Sequence, residues 1–250
     1  MREILFATDL DNTLLFSHRY RRPGDICAEY LEGKEQGFLT PQVWAWLENL
    51  PENLRLLPVT TRSVAQYRRI QWPVPPEWAV AVNGGILLRN GELDGPWRAD
   101  FTAIAAPFQP ELARLAADLE RWDWCLRRSL VDGLYLYAVC PGEEGMMDRA
   151  ALYRGQTPLT VEPSGRKLYF LPPGLDKGAA LERARRRFRP SLVISAGDST
   201  LDLPMLQRAD LALVPDASLA LQVQGPEVRV CPKGRRFSEF VLETALESAR

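Results

Sequence analysis

The chain has 250 residues, 46% of them hydrophobic and 25% charged, with a formal net charge of −1. That composition is ordinary for a globular protein of one large or two modest units and excludes a disordered chain. Near-neutral charge, with bases spread along the sequence, argues against a nucleic acid or an anionic membrane surface as partner, and no apolar run is long enough to span a bilayer. A small molecule is the expected ligand.

No basic leader with a long hydrophobic segment and cleavage site precedes the first strand, so no signal peptide is read. Cys27, Cys125, Cys140 and Cys231 are widely spaced, without a CxxC pair or a neighbouring histidine. They give no zinc site and fit free thiols in a reducing cytoplasm. His18 is the sole histidine, so carboxylates must carry most proton transfers. Lys34, Lys167, Lys177 and Lys233 are the only lysines in an arginine-rich chain, where a compact point charge stands out although composition bias explains the preference equally well.

In chain order, residues 4–8 form a short apolar strand, and the polar, charged stretch 16–38 reads as a long irregular loop or flap. Thr40 and Pro41 open a helix with Val43, Trp44, Trp46, Leu47 and Leu50 as its apolar face, and Pro51 ends it. A second strand covers 54–59, a helix 63–70, and a third buried strand 78–82 runs into Asn83, Gly84 and Gly85. This alternation predicts a parallel sheet with right-handed crossovers.

The rhythm then changes. The stretch "ILLRNGELD" predicts a hairpin turning at Asn90 and Gly91. A helix at 109–122, a strand at 134–139, a helix at 143–153 and strands at 159–162 and 167–171 follow, giving an α+β insertion over residues 86–171. The parallel pattern resumes with helix 177–188, strand 192–196, helix 201–207, strand 211–214 and a last helix at 238–248. The expected fold is therefore α/β: a doubly wound, Rossmann-like core of residues 1–85 and 172–250 interrupted by the insertion, with hinges at Gly84 and Gly85 and at 172–174.

Asp9 and Asp11 follow the first strand, and Asp198 and Asp202 follow the strand at 192–196. Ligand crevices of open α/β sheets lie beyond the carboxyl ends of the strands, so these blocks can meet there. Converging carboxylates suggest a divalent metal and phosphate chemistry.

"DLDNT" at residues 9–13 after its lead-in strand, "VTTR" at 59–62, "LDKGAAL" at 175–181 and "GDSTLDLPML" at 197–206 occur in an order that resembles the haloacid dehalogenase (HAD) superfamily. The resemblance covers the core on both sides of the insertion, whose position is similar to that of a C2 cap, of the B type, as in the Cof-type and sucrose-phosphate phosphatase-like group. It implies a HAD-like core with an inserted α+β cap and a phosphatase acting through an aspartyl phosphate.

On that resemblance Asp9 is the nucleophile, Asp11 the general acid/base, Thr60 a phosphate ligand and Lys177 the cation contacting Asp9 and the phosphate. Mg²⁺ is the implied cofactor, bound by the carboxylates of Asp9 and Asp198 and the backbone carbonyl of Asp11. Asp202 either holds a metal-bound water or pairs with Lys177, and a carboxylate stabilising a helix N-terminus is its alternative reading. An N-cap role is the other reading of Thr60 and Thr61. Thr61 replaces the glycine often seen in the second motif. Asn12 departs from the commoner DxDGT and is similar to the sucrose-phosphate phosphatases; asparagine tolerates the left-handed turn that glycine supplies.

Arg62, Asn83, Arg128 and Arg166 are candidate substrate contacts, with Arg127 and Lys167 further cap cations and a plain hinge the alternative for Asn83. The implied partner is a small phosphorylated molecule, a sugar phosphate or related metabolite, bound by a cytoplasmic monomer or small homo-oligomer. A phosphomutase of the same fold and a non-catalytic phosphometabolite sensor are the alternatives.

Overall fold

The computed structural model describes residues 3–250. The first strand, β1 (Ile4–Thr8), is buried at every position. Both its faces are covered, which is why it reads as a continuous apolar run. A tight turn follows, in which the amides of Thr13, Leu14 and Leu15 all donate to the Leu10 carbonyl and Asn12 adopts φ 61°. The asparagine thus takes the left-handed conformation expected of it.

Residues 16–38, expected to be irregular, instead form most of a three-stranded antiparallel sheet of β2 (Phe16–Ser17), β3 (Ile26–Leu31) and β4 (Lys34–Leu39) in the order β2-β4-β3. Glu32 and Gly33 close the β3–β4 hairpin with positive φ at both positions, as a two-residue turn requires. The register shifts around Glu29, and Glu29 is buried. A bulge of this kind re-aims one side chain.

Helix α1 (Pro41–Glu48) starts where Thr40 Oγ1 accepts from the Val43 amide. Then come β5 (Leu54–Pro58), the single-turn α2 (Val64–Tyr67) and β6 (Trp78–Ala81). Strand β7 (Ile86–Arg89) pairs antiparallel with β6 and turns through Asn90 and Gly91 into β8 (Glu92–Leu93). The hairpin is as expected, but Ile86, Leu87 and Leu88 lie in the main core, so this strand packs with the parallel layer.

The insertion continues with α3 (Gly95–Ala105), α4 (Gln109–Leu119), β9 (Arg127–Val131), β10 (Tyr135–Val139), α5 (Met146–Tyr153), β11 (Thr160–Ser164) and β12 (Lys167–Leu171). Its antiparallel sheet has the order β11-β12-β10-β9. One face, with Leu136, Ala138, Leu168 and Phe170, packs with Leu112 and Leu115 of α4 and Ala150 of α5 in a separate apolar cluster. Tyr135, Tyr137 and Tyr169, on the other face, belong to the main core.

The chain returns through α6 (Lys177–Phe188), β13 (Leu192–Ala196), α7 (Leu203–Leu206), β14 (Leu211–Val214), α8 (Ala217–Ala220), β15 (Glu227–Val230) and α9 (Phe237–Ser248). The main sheet is parallel, in the order β15-β14-β13-β1-β5, and a parallel bridge from Val59 to Val80 extends it to β6. Among the described residues no helix is long and apolar enough to cross a membrane.

Two close approaches fix this arrangement. The crossings into and out of the insertion lie side by side, because Asn83 Nδ2 donates to the Leu175 carbonyl at 3.1 Å and a Cβ on Gly84 would stand 2.6 Å from the Asp176 carbonyl. Gly178, in the first turn of α6, leaves no room for a methyl group against the Pro204 carbonyl of α7. Gly178→Ala must therefore force the two helices apart. We expect it to lower stability by about 1–3 kcal/mol, as overpacking does, read as a fall in the midpoint of chemical denaturation.

Candidate active site

Strands β1, β5 and β13 run parallel and in register, with Thr8 opposite both Pro58 and Ala196. The loops that leave them therefore start from one row at one edge of the sheet. The ladder continues one step further, since the Asp9 amide donates to the Ala196 carbonyl at 2.9 Å and the Val59 amide to the Thr8 carbonyl at 2.8 Å. Asp9, Thr60 and Asp198, distant in sequence, are gathered by this register alone.

Lys177, at the start of α6, lies across the row. Its Nζ is 2.5 Å from Asp9 Oδ1 and 2.5 Å from Asp202 Oδ1, and the three side chains are 2%, 8% and 0% exposed in the order Lys177, Asp9, Asp202. Such burial disfavours the ammonium, yet the two carboxylates outweigh it and hold the Lys177 pKa above its ordinary value. The other oxygen of Asp202, Oδ2, accepts from the amides of Asp198 and Ser199 at 3.1 and 3.0 Å and from Ser199 Oγ at 2.9 Å. Of the two functional readings of Asp202, the structure shows the pairing with Lys177, together with a bracing of the loop that carries Asp198.

Carboxylate oxygens of Asp9, Asp198 and Asp202 lie within 4.8 Å of one another. Burial, opposed by Lys177, and the charges of Asp202, Asp198 and Asp11 raise the pKa of Asp9 well above the carboxylate range. Burial and the charge of Asp202 push Asp198 up to about 7. One lysine does not neutralise so much buried negative charge. The donor set is all oxygen, so a hard divalent cation such as Mg²⁺ fits it.

Asp11 stands outside this cluster. Both its oxygens are held by the fork of Arg62, Nε to Oδ2 at 2.9 Å and Nη2 to Oδ1 at 2.7 Å. Partial desolvation in the cleft opposes ionisation of the half-exposed Asp11, but the charge and hydrogen bonds of Arg62 prevail and its pKa is lowered. The Nη1 of Arg62 is 2.9 Å from Oε2 of Glu29, whose other oxygen takes Nε and Nη2 of Arg69 at 3.0 and 2.8 Å. The bulge in β3 thus places a buried carboxylate behind the arginine that holds Asp11. Sequence reasoning missed Glu29, which lay in a stretch read as irregular.

A cleft of about 760 Å³ opens over these groups. It is lined by Asp9, Asp11, Arg62, Lys177 and Asp198 from below and by Arg127, Tyr137, Arg166, Lys167 and Tyr169 from the insertion. The insertion is docked on the parallel layer, with Tyr135 OH donating to the Thr61 carbonyl at 2.5 Å and the Val64 amide to Asp132 Oδ2 at 3.3 Å.

The remaining sequence candidates separate cleanly. Arg166 lines the cleft, its Nε donating to the Cys140 carbonyl. Thr60 is fully buried and its hydroxyl accepts from the Arg62 amide at 3.1 Å, while Thr61 lines the cleft in its place. Asn83 is buried against Leu175 and does not line the cleft. Arg128 also stays outside, because its neighbours across the sheet, Ala138 and Leu168, belong to the helix-covered face, and it pairs with Glu120 at 2.8 Å. Strand parity instead sends Arg127 to the cleft.

No protein-family model matches the chain, and no curated protein matches it in sequence. Solved structures do. The sucrose-phosphatase of Synechocystis, in complex with sucrose and phosphate, is 15% identical over 99% of this chain and 99% of that one, with a TM-score of 0.68. A phosphatase of the haloalkanoate (HAD) enzyme superfamily from Bacteroides thetaiotaomicron is 15% identical over 98% and 96%, TM-score 0.59. The trehalose-6-phosphate phosphatase of Aspergillus fumigatus is 13% identical over 98% and 93%, TM-score 0.52. Together with the order of the sheet and the place of the insertion, these likenesses show that the chain has the HAD-type fold, a parallel α/β core carrying a cap domain.

Proposed function

We propose that the chain is a Mg²⁺-dependent phosphatase that hydrolyses a small phosphomonoester through an aspartyl phosphate on Asp9. The observation that carries this reading is the convergence of Asp9, Asp198 and Lys177, with Asp11 beside them, under a roof of cationic and tyrosine side chains. The four motifs quoted above and the likeness to phosphatases acting on sucrose phosphate and trehalose 6-phosphate support it, and a sugar phosphate or related metabolite is the substrate class. The cysteines are all unpaired, which suits a reducing compartment such as the cytoplasm.

In this mechanism Asp9 attacks phosphorus in line, the P–O bond to the leaving group breaks, and Asp11 gives a proton to the departing oxygen. Asp11 then takes a proton from water as that water attacks the aspartyl phosphate, freeing inorganic phosphate and restoring Asp9. Lys177 opposes the rise in the Asp9 pKa, holds the carboxylate in place at 2.5 Å and offsets phosphate charge. Asp9 and Asp198, with the carbonyl of Asp11, would hold Mg²⁺, which when bound supplies positive charge against the phosphoryl oxygens. Held ionised by Arg62, Asp11 is set for its role as base. Its role as acid requires it to leave the Arg62 fork, and an arriving phosphate competes for that same guanidinium.

With Mg²⁺ and 4-nitrophenyl phosphate or sugar phosphates, phosphate release should fall about 10³-fold or more in Asp9→Asn and about 10²–10⁴-fold in Asp11→Asn toward sugar esters. Release that survives in Asp9→Asn would refute the mechanism.

In the cation-free protein the native state keeps a proton on Asp198 up to about pH 7, whereas an ordinary carboxylate gives it up near 3.9. The native state binds more protons between those values, so this group contributes stability at low pH that is lost as pH rises through that window. Mg²⁺ competes with that proton. The rise in Tm on adding Mg²⁺ should be larger at about pH 8 than at about pH 5.5, and Asp198→Asn should flatten the difference in a thermal-shift assay.

A further inference from the structure

The cleft-facing side of the insertion's sheet is ordered row by row. Val139 stands opposite Arg127 on one side and Lys167 on the other, and the next row on that face holds Ser129, Tyr137 and Tyr169. Residues opposite one another in a sheet share a face, so Arg127 and Lys167 flank Val139 and both line the cleft. The Lys167 ammonium lies over two rings, 5.2 Å from the centroid of Tyr137 and 6.0 Å from that of Tyr169.

These cations lack what other arginines nearby possess. Arg62 and Arg69 share Glu29, Arg128 has Glu120 and Arg154 has Glu162. Among the described residues Arg127, Arg166 and Lys167 are in no ion pair. Glu143 is the single carboxylate that the insertion adds to the cleft lining. Burial and the charges of Arg62 and Arg127 work against the Lys167 ammonium, with Asp11 pulling the other way.

We propose that the leaving group of the substrate carries a second anionic group, a carboxylate or a further phosphate, and that Lys167 and Arg127 bind it. The inference rests on the phosphatase reading and narrows its substrate class. Lys167 is half-buried and Arg127 exposed at the cleft edge, so a neutral leaving group would displace water from the two cations and return no charge. An anion in the same place pairs with both. A site built around a charged partner rejects the analogue that lacks it far more strongly than an apolar pocket rejects a size change.

The test uses the Mg²⁺-loaded protein and esters matched in size: glycerol phosphate against 3-phosphoglycerate, and fructose 6-phosphate against fructose 1,6-bisphosphate, with 4-nitrophenyl phosphate as a general reporter of turnover. The quantity read is the ratio of kcat/KM, anionic member over neutral member. It should exceed about tenfold in the native protein, fall toward one in Lys167→Met and in Arg127→Gln, and recover in Lys167→Arg, a charged hydrogen bond being worth about 10–100-fold. Preference in the phosphoglycerate pair alone would assign a carboxylate, and in the bisphosphate pair alone a phosphate. Turnover of 4-nitrophenyl phosphate with a ratio near one in both pairs, or a ratio unaltered by both substitutions, would overturn this inference and leave the phosphatase reading standing. No release from any of these esters would overturn both.

Discussion

One buried lysine between two buried aspartates sets the terms for the rest of the site. Ammonium and carboxylates lose their hydration here, and each is tolerable only because the others are present. Lys177 can occupy the position because α6 begins there and because Gly178 lets α7 approach closely enough to bring Asp202 alongside. Asp202 in turn spends its second oxygen on the amides of Asp198 and Ser199. Lys177, Asp9 and the loop bearing Asp198 are therefore one electrostatic unit, still too negative on its own. A divalent cation would answer that excess, the more so when a phosphate adds to it.

Chemistry and recognition divide along the fold. The parallel layer owes its carboxylate-bearing edge to strand register, and on the proposed reading every group in it would serve any phosphate ester. The insertion adds side chains by strand parity, and a shift of one residue in β9 would exchange Arg127 for Arg128 and change what the cleft can hold. A third element, the small sheet after β1, contributes Glu29 to the chain of charges running from Arg69 through Arg62 to Asp11. The state of Asp11 is tied through it to a segment that forms no part of the parallel sheet.

Much of this was legible in the amino-acid order. Residues 4–8 and 192–196 read as buried strands because both their faces are covered, and the aspartates that follow them gave the site its place. The helix at Lys177 was equally plain. The sheet of residues 16–39 was not, since Lys34, Glu35 and Gln36 occupy one of its strands and mask any alternation. Strand β9, with the sequence RRSLV, shows no apolar period either, and without its register Arg127 and Arg128 cannot be told apart. Glu29, Arg62 and Asp11 meet only in three dimensions. No local pattern announces a link between residues so far apart in the chain.

In the proposed reaction the phosphoryl group passes through Asp9. Rapid quenching of the Mg²⁺-loaded Asp11→Asn variant with 4-nitrophenyl phosphate, followed by peptide mass spectrometry, tests it most directly, because the good leaving group needs little acid assistance while the water step is slowed. A phosphoryl mass increment is expected on the peptide containing Asp9, removed by hydroxylamine as an acyl phosphate is. Phosphate release with no increment there, or with the increment on another residue, would contradict it.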